Sequence, residues 1–188
     1  RDPDPARHVS SLFDSPDWTV VEASATDTGR EDASADVAFG EAYLTMQPDS
    51  VKRRVVQELA RIVRPGGRIG LHEIAVTPDD LDAERSEVIS KELAGTIKVS
   101  VRPLSISGWT DLLNDAGFDV DDRFTAPLHL REPRRLIADE GLPGAARFAG
   151  RVARQPDARK RVLAMREAMK RNAPNLQAVA LTARRRHD

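Results

Sequence analysis

Residues 36–74 contain a strand, a helix and a second strand in immediate succession, and this segment limits the fold more than any other in the chain. The run 36–40 (DVAFG) is short and mostly apolar, which is typical of a strand covered on both faces. A helix is predicted over 49–63 and a further strand over 69–74 (IGLHEI). Parallel strands joined by a helix form a right-handed βαβ unit, so the sequence predicts an α/β fold with a mostly parallel sheet.

The predicted helix has a start signal, an apolar face and a stop signal. Asp49 and Ser50 are suitable N-cap residues at its start. The RPGG run at 64–67 ends it, because proline cannot extend a helix and glycine accepts the positive φ of a tight reversal. The predicted apolar positions are Val51, Val55, Val56, Leu59, Ile62 and Val63. The predicted solvent-facing positions are Lys52, Arg53, Glu58 and Arg61.

The remaining elements follow from apolar periodicity and turn residues along the chain. The further predicted strands are 18–23, a segment containing Phe118, Val120 and Phe124, and 176–183. The further predicted helices are 78–98, one that is capped by Ser107 and buries Trp109, and several within 126–172. We interpret 1–188 as a single domain in which 78–106 forms a lid or insertion and 126–172 a helical C-terminal region.

Composition narrows the class of protein. A hydrophobic fraction of 40% in 188 residues is sufficient for one domain with a core. The apolar runs are much shorter than the roughly 20 residues of a membrane helix, so we expect no membrane partner. Cysteine is absent, which excludes disulfides, thiolate metal sites and a cysteine nucleophile. Together with the lack of a secretion signal at the start, this favours a cytoplasmic location, and the scattered histidines suggest no metal site.

Charge is distributed unevenly along the chain. Residues 1–122 hold 13 basic and 24 acidic residues, a net charge of −11, whereas 123–188 hold 16 basic and 6 acidic residues, a net charge of +10. The two parts should therefore attract each other. The single tyrosine and the lack of aromatic residues between the basic ones argue against a nucleic-acid partner.

Two runs carry a resemblance to a known family. ADVAFGEAYLTM at 35–46, followed by VVQELARIVRPGGRIGLHE at 55–73, resembles the second half of a class I S-adenosylmethionine-dependent methyltransferase of the small-molecule type 11 group. The likeness extends from about Val20 to Phe118. It implies a three-layer Rossmann-like sheet whose cofactor, S-adenosylmethionine, lies outside the carboxyl ends of the strands, and a small-molecule methyl acceptor.

The resemblance also implies a set of cofactor-binding residues. Ser24 and Ala25 match the loop that holds the adenine ring, although the family more often has Asp at the position of Ser24. Gly40 and Glu41 match the strand end near the methionine part of the cofactor. Glu41 either contacts the cofactor's ammonium group or caps the following turn.

His72, Glu73 and Arg102 are the candidate residues on the acceptor side. His72 and Glu73 lie at the predicted carboxyl end of a central strand, where ligands bind in such sheets. We predict that one of them is catalytic and faces the acceptor, with His72 able to accept a proton near neutral pH. The alternative is a hydrogen-bonded structural histidine. Arg102 is a candidate for binding an anionic acceptor, or else a solvated surface arginine.

One family feature is missing from this sequence. The glycine-rich first loop should lie before Val20, yet no G-x-G occurs there. Our leading hypothesis is methyl transfer to an O, N or C atom of a small molecule. The alternative is a non-catalytic interaction module that has lost this loop and pairs through an open sheet edge with a partner or a second copy of itself. The third hypothesis is a nicotinamide-dependent oxidoreductase, but the sequence lacks the fingerprint glycines of that class.

Overall fold

The computed structural model describes residues 17, 19–97, 99–128 and 156–187, together with the single positions 141, 144, 147, 150 and 154. The strands in this part are Ala35–Glu41 (β1), Val63–Val76 (β2), Leu104–Ser105 (β3), Phe118–Pro127 (β4) and Leu176–Arg185 (β5). The helices are Asp49–Ile62 (α1), Ala83–Ile97 (α2), Ile106–Asp115 (α3) and Pro156–Asn172 (α4), with 3₁₀ turns at Leu44–Met46 and Ala173–Asn175. No helix in the described part is long and apolar enough to cross a membrane.

The strands form one sheet in the order β1-β2-β5-β4, with β3 beside the end of β2. β1 and β2 are parallel, and α1 is the crossover between them. β5 is antiparallel to both of its neighbours, so β1, β2 and β4 all run in the same direction. The predicted α/β class, the strand–helix–strand unit and the final strand are therefore confirmed.

Helices pack on both faces of this sheet. Because successive residues of a strand point to opposite faces, the residues of β2 divide between two cores. α1 and α3 pack on the main core, whose members include Ile69, Leu71, Val55, Val56, Trp109, Leu113, Val179 and Leu181. α2 and α4 pack against the other face at the carboxyl end of β2, in a second core formed by Val76, Ile89, Leu93, Val101, Ala168 and Leu176.

The rest of this second face is exposed in the described part of the chain. Val37 and Phe39 of β1 are 63% and 85% exposed, and Phe124 of β4 is 61% exposed. Among the described residues, the outer edge of β1 also has no neighbouring strand. Val37 and Phe39 lie next to the carboxyl end of β1, whereas Phe124 lies on β4 at the other side of the sheet.

One predicted strand is not formed. Trp18 lies outside the described residues, and residues 19–23 are in no strand, with Val20 and Val21 exposed. The prediction is wrong because side chains of high β-propensity form a strand only where a neighbouring strand supplies ladder hydrogen bonds. In the described part of the chain, no strand lies beside this segment.

Helix boundaries also differ from the predictions. α1 begins at Asp49, directly after Pro48, and the Asp49 carboxylate bonds Lys52 instead of capping the helix. α3 is capped by Ser105, not Ser107, since β3 ends at Ser105 and its hydroxyl accepts the Gly108 N–H at 3.0 Å. The predicted helical region 126–172 begins later than expected because β4 extends to Pro127, and residues 129–140 lie outside the described residues.

Candidate functional site

The carboxyl ends of β1 and β2 bring two predicted site residues together. Glu41 and His72 are direct partners in the parallel register. Nδ1 of His72 lies 3.4 Å from Oε1 of Glu41, and the two side chains are 54% and 74% exposed. An accessible carboxylate–imidazole pair therefore lies at the edge of the sheet where ligands bind in this type of fold.

Gly40 precedes this pair on β1 and lies beside Leu71 of β2. A β-carbon added at Gly40 would meet Leu71 Cδ2 at 3.6 Å, which is ordinary contact. Packing within the described residues therefore does not require glycine at this position.

The chain reverses direction immediately after Glu41. Ala42 has a φ of 50°, and its N–H donates to the backbone oxygen of His72 at 2.7 Å. A positive φ is uncommon for a residue other than glycine, and it persists only where surrounding contacts hold it. The 3₁₀ turn Leu44–Met46 follows directly, and Tyr43 and Met46 are partly exposed beside the site.

The carboxylate of Glu73 accepts hydrogen bonds from the backbone of this turn. Its Oε1 accepts the N–H groups of Tyr43 at 3.1 Å and Leu44 at 2.8 Å. Its Oε2 accepts the N–H of Thr45 at 3.0 Å and the Thr45 hydroxyl at 2.5 Å. The carboxylate is buried, and these four donors occupy the roughly four acceptor sites it offers. The prediction that Glu73 is catalytic therefore needs correction, because its carboxylate cannot reach an acceptor.

Arg102 is joined to the same turn through its backbone. Its N–H donates to the Thr45 oxygen at 2.7 Å, and its carbonyl accepts from Lys52 Nζ at 2.6 Å. The Arg102 side chain is exposed. Its guanidinium therefore extends from a segment that is fixed to the turn after β1.

Lys52 is a buried cation that contacts the Arg102 segment. Its side chain is 1% exposed, it pairs with Asp49 at 2.7 Å, and its ammonium lies 5.7 Å from the ring centre of Trp109. Burial lowers the pKa of Lys52, although the hydrogen bond to Asp49 opposes this effect. Trp109 also donates its indole N–H to the Ile74 oxygen at 3.0 Å, which satisfies a backbone group in the gap between β1 and β3.

Ser24 and Ala25 lie in a tight turn beside α1. The Ser24 oxygen accepts the Asp27 N–H at 3.0 Å, its hydroxyl is 2.9 Å from that of Thr26, and Ala25 packs on the main core. Thr28 follows this turn, and both its N–H and its hydroxyl donate to Glu58 of α1, at 2.8 and 2.6 Å. Contacts with α1 therefore fix the turn, which lies on a different segment from Glu41.

Glu58 is a buried charged anchor. Hydrogen bonds from Arg61, and then from Thr28, lower the pKa of Glu58 to about 2. The same contact with Glu58, together with Asp32, raises the pKa of Arg61. Glu58 therefore stays ionised at neutral pH.

Lys52 and Glu58 are the residues that the sequence analysis placed wrongly, on the outer face of α1. Lys52 lies three, four and seven residues before Val55, Val56 and Leu59, which is the spacing of one helix face. Glu58 lies three residues after Val55 and four residues before Ile62, which is also the spacing of one helix face. The pattern alone could thus have predicted both as partly buried. In the described ranges, no group of three or more His, Asp or Glu side chains is arranged to hold a metal ion.

The sheet order, with antiparallel β5 between strands of common direction and helices on both faces, defines a Rossmann-like α/β fold of the class I methyltransferase type. No protein-family model matches the chain. In sequence, the chain is 30% identical over 129 residues to an uncharacterised protein of Haemophilus influenzae, an alignment that covers 69% of this chain and 49% of that protein. The chain thus spans about half the length of this curated relative.

Solved structures of methyltransferases share the fold. A provisionally assigned sarcosine dimethylglycine methyltransferase from Galdieria sulphuraria superposes with a TM-score of 0.66 at 19% identity, covering 96% of this chain and 63% of that one. Phosphoethanolamine N-methyltransferase 2 of Haemonchus contortus, in complex with S-adenosyl-L-methionine, has a TM-score of 0.56 at 16% identity, covering 87% and 36%. At these identities the likeness establishes the fold, and function has to be argued from the site.

Proposed function

We propose that this chain is part of an S-adenosylmethionine-dependent methyltransferase that acts on an O, N or C nucleophile of a small molecule. The observation that carries the proposal is the pairing of Glu41 with His72 at the carboxyl ends of β1 and β2. In a sheet of this fold, that edge is where ligands bind. The reaction type is proposed from the fold, which is shared with a methyltransferase whose structure contains S-adenosyl-L-methionine.

On the cofactor side, we assign Glu41, Gly40, Ser24 and Ala25. Oε1 of Glu41 faces His72, which leaves Oε2 to accept from the ammonium of the methionine part. The turn that holds Ser24 presents polar groups beside α1 and is fixed there through Thr28. When bound, S-adenosylmethionine supplies an electrophilic methyl group on sulfur, so the protein has chiefly to position the acceptor and exclude water.

On the acceptor side, we assign His72 and Arg102. When Nδ1 of His72 donates to Glu41, Nε2 keeps its lone pair and can accept a proton from the acceptor. The exposed guanidinium of Arg102 can bind an anionic group of the acceptor through two parallel hydrogen bonds. The helices α2 and α4 pack on the second core, which Ile74 of β2 contacts two residues after His72, and we assign 78–106 as the lid.

The test is a calorimetric titration of the 188-residue chain with S-adenosylhomocysteine, which retains the ammonium group. Glu41→Gln removes a charged hydrogen-bond partner, so we expect the Kd to rise about 10- to 100-fold. Glu31→Gln is the matched control, because Glu31 is an exposed glutamate that lies outside the assigned site residues and the lid. Equal affinities for the parent and Glu41→Gln would contradict the assignment of Glu41.

A second candidate function is the non-catalytic interaction module. The exposed Val37 and Phe39 beside the outer edge of β1 favour it. Absence of any heat with S-adenosylhomocysteine would support this candidate over the enzyme. Its own test is self-association through the face of β1.

A further inference from the structure

The buried carboxylate of Glu73 occupies a concave group of backbone donors. The N–H groups of three successive residues, Tyr43, Leu44 and Thr45, converge on it. Successive N–H groups arranged in this way form an anion-binding concavity. Here the anion is part of the protein itself, and it comes from the strand next to the one that the turn follows.

The position of this contact matters because the turn begins at the site. Glu41 is the last residue of β1, Ala42 has a positive φ, and the anchored residues Tyr43–Thr45 come next. Only Ala42 therefore separates the Glu41 side chain from the anchor. The anchored turn also accepts the Arg102 N–H through the Thr45 oxygen.

We propose that Glu73 is a positioning residue: its carboxylate fixes the turn 42–46 and thereby holds Glu41 beside His72 and the Arg102 segment beside both. The proposal rests on the proposed function, in which Glu41, His72 and Arg102 bind the cofactor and the acceptor. Glu73 itself touches neither of them.

The chemistry of the contact requires a carboxylate. All four partners of Glu73 are donors, and an ionised carboxylate has only acceptor sites. In Glu73→Gln, the amide oxygen can keep two of these donors, but the NH₂ group then faces the remaining ones. The N–H of Thr45 would lose its acceptor, whereas the hydroxyl of Thr45 can rotate and accept.

Two variants and one control test the proposal. Glu73→Gln disrupts the anchor directly. Thr45→Val keeps the side-chain shape and removes the hydroxyl bond to Glu73 and the acceptor for the Ile74 N–H, so it serves if Glu73→Gln does not fold. Asp119→Asn is the control, because Asp119 pairs with Arg186 at 2.7 Å at the amino end of β4, outside the site and the lid.

The measurements are amide hydrogen exchange at residues 43–45, the NMR shifts of the His72 ring protons, and the Kd of S-adenosylhomocysteine. For Glu73→Gln we expect exchange at these amides to accelerate at least tenfold, the His72 ring signals to move, and the Kd to rise about tenfold. Thr45→Val should give smaller changes in the same direction. Asp119→Asn should leave all three measurements unchanged.

The outcomes separate this inference from the proposed function. If the parent chain binds no S-adenosylhomocysteine, the proposed function fails. The hydrogen exchange and the His72 signals then still decide whether Glu73 positions Glu41 beside His72. Faster exchange with unchanged His72 signals would make Glu73 merely structural and overturn the inference. Unchanged exchange in both variants would overturn the anchor itself.

Discussion

Glu58 couples the stability of the domain to pH and to the turn that holds Ser24. Its carboxylate accepts from Thr28 and Arg61 and is 7% exposed, and its pKa is about 2 instead of 4.5. At about 1.4 kcal/mol for each unit between these values, its ionisation contributes at most about 3.5 kcal/mol to the free energy of unfolding. The Arg61 side chain is 35% exposed and therefore screened by water, so we expect about 1–2 kcal/mol.

Glu58→Gln should remove this contribution and its dependence on pH. Because the pKa is lower in the folded chain, the stabilisation is fully present above about pH 4.5 and is lost as pH falls towards 2. Urea unfolding at pH 7 should show the variant about 1–2 kcal/mol less stable than the parent, and less than half of this difference should remain at pH 3. Glu87→Gln is the control, because Glu87 is an exposed glutamate of α2 that pairs with Lys91. It should change the free energy of unfolding by less than about 0.5 kcal/mol at either pH. A Glu58→Gln difference that is the same at pH 7 and pH 3 would refute the reasoning.

The other predictions concern a close backbone approach and an exposed surface. A β-carbon at Gly67 would lie 2.7–2.8 Å from Val63 and from the backbone oxygens of Arg64 and Asp36, whereas one at Gly95 meets nothing within 4 Å. In thermal unfolding, Gly67→Ala should therefore destabilise by about 2–4 kcal/mol and Gly95→Ala stabilise by about 0.5–1 kcal/mol, and the reverse order would be inconsistent with this geometry. Phe39→Ser should keep stability within about 0.5 kcal/mol. In sedimentation velocity it should also reduce any self-association, and identical concentration dependence in both proteins would exclude the face of β1 as the surface.

Much of the fold could be predicted because its signals are local. The spacing of apolar residues in 49–63 and the RPGG run define α1 and its end, and the strands on either side must then be parallel. The segment 18–23 has equally good local signals and forms no strand in its described residues. Local propensity does not report whether a neighbouring strand is present, and that neighbour decides the outcome.

The candidate site was only partly predictable, for a related reason. The order of elements implies that β1 and β2 are parallel, so Glu41 and His72 are expected at the same edge of the sheet, whereas the register that pairs them is known only from the structure. The contacts of Glu58 with Thr28, and of Lys52 with the Arg102 carbonyl, join residues 30 and 50 positions apart. A helical stripe can indicate that such a charged residue is buried, but its partner comes from tertiary structure.

The different surroundings of His72 and Glu73 follow from the alternation of side chains along a strand. Neighbouring residues of a strand point to opposite faces, so these two side chains could not both face one ligand from β2. Ile69, Leu71 and Ala75 are buried in the main core, and Glu73 has the same parity as they do. A buried carboxylate among apolar residues requires donors. The turn after the neighbouring parallel strand supplies these donors, so alternation places His72 on the exposed face of β2 and Glu73 against the turn.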